Sequence, residues 1–155
     1  MSGKDIIKQH HESFESIRHF DEDGNEFWYA RELAGVLEYS QYRHFQPVID
    51  RSRDACKNSG YPVEDHFEDI LQMVAIGSGA KRAVPDVRLS RYACYLIVQN
   101  GDPAKPVIAI GQTYFAVQTR RQELADEAGF ARLSEDERRF ADVSKMMRQG
   151  FSEGK

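Results

Sequence analysis

Two cysteines, one tryptophan and five prolines in 155 residues leave this chain few covalent or conformational staples. Cys56 and Cys94 are too few for a disulfide framework. Both fall among apolar positions of predicted helices, where they read as buried, reduced thiols. No apolar run approaches the roughly 20 residues needed to cross a bilayer, and the first residues hold no apolar stretch of the secretory kind. No membrane association is expected, and the cytoplasm is the expected location. The five histidines (His10, His11, His19, His44 and His66) form no His-x-x-x-His or His-Glu-x-x-His pattern, and the cysteines form no Cys-x-x-Cys. Metal-ligand spacing is therefore missing. There is no Gly-x-Ser-x-Gly elbow for a nucleophile. Gly77-Ser-Gly79-Ala-Lys81 lacks the spacing of a phosphate loop. His66, close to Asp65 and Glu68, reads as part of a solvated acidic loop. The expectation is a protein with no catalytic residues, no metal and no cofactor.

What is present is charge of both signs, unevenly placed. The chain carries 21 Lys and Arg against 25 Asp and Glu, a net charge of −4, unlike the strongly basic balance of a dedicated DNA-binding domain. Residues 1–30 hold three cations against seven anions, and residues 61–80 hold Glu64, Asp65, Glu68 and Asp69 with no cation. Residues 81–125 reverse the sign, with Lys81, Arg82, Arg88, Arg91, Lys105, Arg120 and Arg121 against Asp86, Asp102 and Glu123. A local field steers a polyanion more than the isoelectric point does. Such asymmetry gives either a basic face on an acidic molecule or cations scattered over the surface.

The pattern predicts an α+β fold, a small, mainly antiparallel sheet packed against several helices. Residues 1–13 read as a lead-in, 14–129 as the domain, and 130–155 as a C-terminal helix and tail. Phe14–Phe20 and Phe27–Tyr29, on either side of Asp21–Glu26, predict a hairpin. Ala30–Leu37 predicts a helix with Leu33, Val36 and Leu37 on one face. A second helix follows a turn at Glu38–Ser40, with Phe45, Val48, Ile49, Ser52, Ala55 and Cys56 inward. Pro47 is expected to limit its start, and Asn58-Ser-Gly60 to stop it in a left-handed conformation. Within Val63–Ile76, the run His66–Val74 reads as a short helix feeding a strand, with Met73–Leu89 supplying sheet. Gly77–Arg82 reads as a loop or hairpin tip and Val84–Leu89 as the return strand. Ser90 is placed to cap a helix through Val98, which Asn100-Gly101-Asp102-Pro103 would end with a left-handed residue and a proline. A long helix is expected from about Ala104 to Ala128, with Val107, Ile110, Tyr114, Val117, Leu124 and Ala128 on one face and Arg120 and Arg121 near its end. Ser134–Glu137 is a capping box for a last helix with a Phe140, Val143, Met146 and Met147 stripe, which suggests a homodimer through that helix.

Ala30–Lys57 has the form of two short helices and a tight turn, as in a helix-turn-helix. Arg43, Arg51, Arg53 and Lys57 lie on or just before its second helix, interrupted by Asp50 and Asp54. The alternative is an ordinary helical pair with a mixed-charge face. Lys81 and Arg82 beside glycines suit phosphate contact, because glycine allows close approach; a solvated turn is the alternative. Arg120 and Arg121 suit phosphate contact or a helix C-terminus. Tyr39 and Tyr42, read as lying in a polar turn, are the aromatics placed for base stacking.

The run from Ser90 to Leu124, with Tyr42-Arg43-His44-Phe45 and Gly77-Ser-Gly-Ala-Lys-Arg82, resembles the DNA-damage-inducible protein D family, whose N-terminal part is a Bro-N-type domain shared with baculovirus Bro proteins and phage antirepressors. The likeness extends over roughly Phe14 to Leu133. It implies the Bro-N fold, a bacterial or phage-derived protein induced by DNA damage as in an SOS response, and a further C-terminal region. It also implies a non-enzymatic nucleic-acid-binding or regulatory module, with Arg43, Arg51, Arg53, Lys81, Arg82, Arg120 and Arg121 as phosphate partners on single- or double-stranded DNA. The competing expectation is a protein-interaction module. That module would dock on a recombination or repair protein, or on a repressor, through the acidic segments Asp21–Glu26 and Glu64–Asp69.

Overall fold

The computed structural model describes residues 12–131 and 145–147. The fold is α+β. In chain order the elements are β1 (His19–Phe20), β2 (Glu26–Tyr29), α1 (Ala30–Val36), α2 (Tyr42–Asn58), β3 (Phe67–Ala75), β4 (Lys81–Leu89), α3 (Arg91–Gln99) and α4 (Pro106–Ala131). The sheet is antiparallel, in the order β1-β2-β4-β3. Two compact units divide the chain, one ending at Gln112 and the other beginning at Thr113, so α4 runs from one into the other.

The core of the first unit gathers around Trp28, whose side chain is fully buried on β2. Its indole N–H donates to the Phe14 carbonyl at 2.8 Å, and its ring stacks on Phe14 at 4.4 Å. Leu33, Phe45, Ile49, Phe67, Leu89, Ile97 and Ile108 complete the core from six further elements. Because Trp28 needs both a stacking partner and an acceptor, residues 12–16 form a helical turn over it. The first strand is thereby reduced to His19–Phe20, much shorter than the expected Phe14–Phe20. The hairpin turn is held by Asp21, whose carboxylate accepts from the backbone N–H groups of Asp23 and Asn25 at 2.9 Å each.

Asp86 is a buried charge at the centre of this arrangement. No side chain of α1's own cap residue satisfies the first N–H groups of that helix. Asp86 reaches across from β4 and accepts from the Arg31 N–H at 3.1 Å, from its neighbour Val87 N–H at 2.8 Å, and from the Gln72 amide on β3. A buried carboxylate is tolerated when its oxygens are filled in this way, and a helix N-terminus favours the negative charge.

Several sequence expectations need revision. In Val63–Ile76 a short helix does feed a strand, but the helix is one 3-10 turn at Val63–Asp65 and the strand starts already at Phe67, because pairing with β4 from Phe67 to Ala75 overrides any helical period over His66–Val74. Pro47 lies inside α2, which starts at Tyr42. The turn before the proline is held by Tyr42 and Phe45, which pack on each other and, through Phe45, on Tyr39. The end of α3 holds no left-handed residue: Asn100 has φ −96°, and its side chain donates to the Leu96 carbonyl at 2.8 Å. Gly101 is small for another reason, since a Cβ there would lie 3.0 Å from Ile108. Gly60, at φ +86°, does end α2 in the left-handed region, and Ser90 does cap α3 by accepting from the Ala93 N–H at 3.0 Å. α4 extends to Ala131, so Arg120 and Arg121 lie near its middle. On the expected apolar face of that helix Val107 is buried, while Val117 and Leu124 are exposed. The Ser134–Glu137 box, Phe140 and Val143 lie outside the described residues; Met146 and Met147, in a helical turn at 145–147, are exposed.

Candidate nucleic-acid interface

β3 and β4 are each nine residues long, but β2 pairs with β4 only at Arg88 and Leu89. Beyond that base the two strands continue as a ribbon. The connection closes with the Ile76 N–H donating to the Ala80 carbonyl at 2.9 Å. Ser78 (φ +68°) and Gly79 (φ +77°) both stand in the left-handed region, which glycine reaches at little cost. Lys81 and Arg82 follow this turn. They occupy the first two residues of β4, opposite Ala75 and Val74, rather than the loop itself. As neighbours on a strand they point to opposite faces, so the ribbon end presents one cation on each side. Both are exposed, and neither has an acidic partner among the described residues.

The other candidates are used differently. Arg53, half-buried on α2, pairs with Asp69 of β3 at 2.8 Å and lies over the Phe67 ring. Arg51 donates to the Asn100 carbonyl at 2.9 Å and so satisfies the C-terminal end of α3. Arg43 is exposed in the first turn of α2, and Lys57 sits in its last turn, where a cation suits the helix dipole. In the second unit, Arg120 lies 4.0 Å from Glu123 and 3.8 Å from Glu127 on the same helix; Arg121 is exposed.

Tyr39 lies in the turn between α1 and α2, but its side chain faces inward, and Tyr42 is the first residue of α2. Tyr39 is buried, packed on Phe45 with the Lys105 ammonium 4.5 Å from its ring centre. Tyr42 is half-buried under the Arg31 guanidinium, 4.1 Å from its ring centre. Burial, with the nearby Asp86 charge, pushes the Tyr42 hydroxyl up to about 12.

Two concavities bear charged residues that sequence reasoning did not bring together. A cleft of about 290 Å³ is lined by Tyr39, Ser40, His44, Arg51, Asp102 and Lys105 among others. Arg51 and Lys105 come from distant segments, and no local pattern announces their meeting. The second, about 490 Å³, has Phe27 and Tyr29 beside Asp21, Glu22, Asp23 and Arg88. Asp21 is held below the usual carboxylate range, chiefly by the Asn25 backbone N–H. Among the described residues no group of three or more His, Cys, Asp or Glu is arranged to hold a metal ion, and no helix is long and apolar enough to cross a membrane.

Comparison with known proteins adds a lineage to this geometry. The chain is 62% identical over 134 residues, 86% of its length, to DNA damage-inducible protein D of Escherichia coli (strain K12). It spans about half of that relative, 49% of whose length is matched. No solved structure matches it significantly. Residues 16–116, which contain the whole sheet, α1 to α3 and the start of α4, match the model of the BRO family N-terminal domain, and the chain belongs to that family.

Proposed function

We propose that this domain is a non-enzymatic, nucleic-acid-binding regulatory module of a DNA-damage response, acting in the bacterial cytoplasm or on the nucleoid. The reading rests on the pair Lys81 and Arg82, exposed at the end of a two-stranded ribbon and free of acidic partners among the described residues. A narrow ribbon with a cation on either side can follow a phosphate backbone, and such contacts position a protein on DNA without reading bases. Arg43 and Arg121, exposed and without an acidic partner among the described residues, are further phosphate contacts in this reading. Arg51, Arg53 and Arg120 contribute less, since each already serves a carbonyl or carboxylate of the chain. The name of the relative, DNA damage-inducible protein D, supports the setting.

The test is a salt series of binding to single- and double-stranded DNA. Lys81→Ala with Arg82→Ala should lower affinity and flatten the log–log salt slope by roughly 0.9 per lost contact on duplex. Melting temperature should hardly move, because both side chains are exposed. An unchanged slope would remove the ribbon end from the interface.

A second reading has its own observation. The turn after β1 groups Asp21, Glu22 and Asp23 beside Phe20, which is 59% exposed, and the aromatic floor of the larger concavity. An apolar residue amid acids suits a basic protein surface, such as that of a repair protein or repressor. Parent protein that ignores DNA at low salt would favour this reading.

A further inference from the structure

β3 is an edge strand, and its outer side has no pairing partner among the described residues. From Ile70 to Ile76 it reads Ile-Leu-Gln-Met-Val-Ala-Ile, with no charge and no proline. Those are the usual devices that keep an edge from pairing with another chain. One face of the ribbon is also uncovered. Residues 67, 69, 71, 73 and 75 share that face with their cross-strand partners 81 to 89 of odd number. At its base Phe67, Val87 and Leu89 are buried, but further out Leu71 is 71% exposed and Met73 63%, with Ala83 and Pro85 exposed opposite them. An isolated two-stranded ribbon is marginal in water, and a third strand is what ordinarily makes it stable.

We propose that a second copy of this chain supplies that strand, β3 pairing antiparallel with β3 about a two-fold axis at Leu71. Charge selects this occupant and this direction. The charges on β3 are Glu68 and Asp69, at the base, while the cations Lys81 and Arg82 stand at the far end. Antiparallel pairing lays the acidic base of each ribbon along the basic end of the other and keeps the two acidic ends apart. Parallel pairing would put like beside like. Glu68 shares a face with Val74 and Arg82. It would stand about two strand spacings, roughly 10 Å, from the other copy's Arg82, a gap that extended glutamate and arginine side chains span. Within one chain the two are separated by six strand positions, roughly 20 Å, and do not meet. The interface is isologous, so two copies satisfy it and growth stops. The opposite edge of the sheet, β1, is two residues long and offers little for further pairing.

Sedimentation of the full chain without nucleic acid tests this separately from the DNA reading. The parent should dimerise in the micromolar range. Leu71→Lys with Met73→Lys should sediment as a folded monomer with an unchanged circular dichroism spectrum, both positions being exposed. Glu68→Lys and Arg82→Glu should each weaken the dimer, and together restore it. Met146→Asp with Met147→Asp should leave it intact. A parent that is monomeric throughout, a dimer indifferent to the Leu71/Met73 change, or one lost with the Met146/Met147 change would overturn the proposal. Unbounded assembly would overturn it too, since the pairing closes at two.

Discussion

Arg91 shows how much one side chain can join. Its guanidinium reaches Glu26 at 2.8 Å and Glu15 at 2.9 Å, and lies over the rings of Trp28 and Phe14 at 5.0 and 5.6 Å. It thereby ties the start of α3 to β2 and to the helical turn at 12–16. Arginine suits this place because its planar group can bind a carboxylate in bidentate fashion while stacking on an aromatic face. The hydrogen bonds from Arg91 hold the Glu26 carboxyl below its usual range; Arg18 adds attraction, and partial burial opposes both. A depressed carboxylate contributes stability above its unfolded pKa and loses it as pH falls through the folded value. The parent should therefore lose melting temperature on acidification from roughly pH 6 to 3, and Glu26→Gln should lose less. The gap between them should narrow toward acid. A gap that stays constant across that range would mean the Arg91 contacts contribute nothing through ionisation.

Among the elements, the α3–α4 junction depends on close approach. A Cβ on Gly111 would lie 2.8 Å from Val98 Cγ1, and valine in a helix has little rotamer freedom to yield. The proximity lets Gln112 donate from its side-chain amide to the Val98 and Gly101 carbonyls at 3.1 and 3.2 Å, filling acceptors that the end of α3 leaves open. Gly111→Ala would gain about 1 kcal/mol of helix propensity and lose about 1–3 kcal/mol to overpacking. Thermal or urea unfolding should show a net destabilisation. In a Val98→Ala background the same change should become neutral or stabilising, because the clash is gone. Simple additivity of the two substitutions would refute the contact. Much of this level was legible in the chain: the Ser90 cap, the Gly60 stop and the buried face of α2 follow from local chemistry. The end of α3 was not, because the reason for Gly101 lies in Ile108, on another helix.

Over the whole molecule, the uneven charge is what separates the two functional readings. Glu64 and Asp65 are exposed in the 3-10 turn before β3. Their reversal to Lys removes like-charge repulsion toward a polyanion. If the domain binds nucleic acid, affinity at fixed salt should stay level or rise. If these acids are the docking surface for a basic protein, capture of that protein should fail while DNA binding remains absent. A DNA-binding parent that loses affinity on this reversal would contradict the nucleic-acid reading directly.

The sequence by itself determined the α+β class, the Ser90 cap, the Gly60 stop, the inward face of α2 and the family, because these depend on residue type at short spacing. It also marked Lys81 and Arg82, through the glycines beside them. Tertiary structure decided what each charge and aromatic ring was for. Arg53 met Asp69, Arg51 met the end of α3, and Tyr39 went into the core against Phe45. It also made Phe67–Ala75 an edge strand behind a single 3-10 turn, since pairing with β4 outweighed any helical period over His66–Val74. The physical reason is common to these cases. A cap or a turn is completed by atoms a few residues away, whereas an ion pair, a ring contact or a strand partner is completed by atoms that only folding brings near.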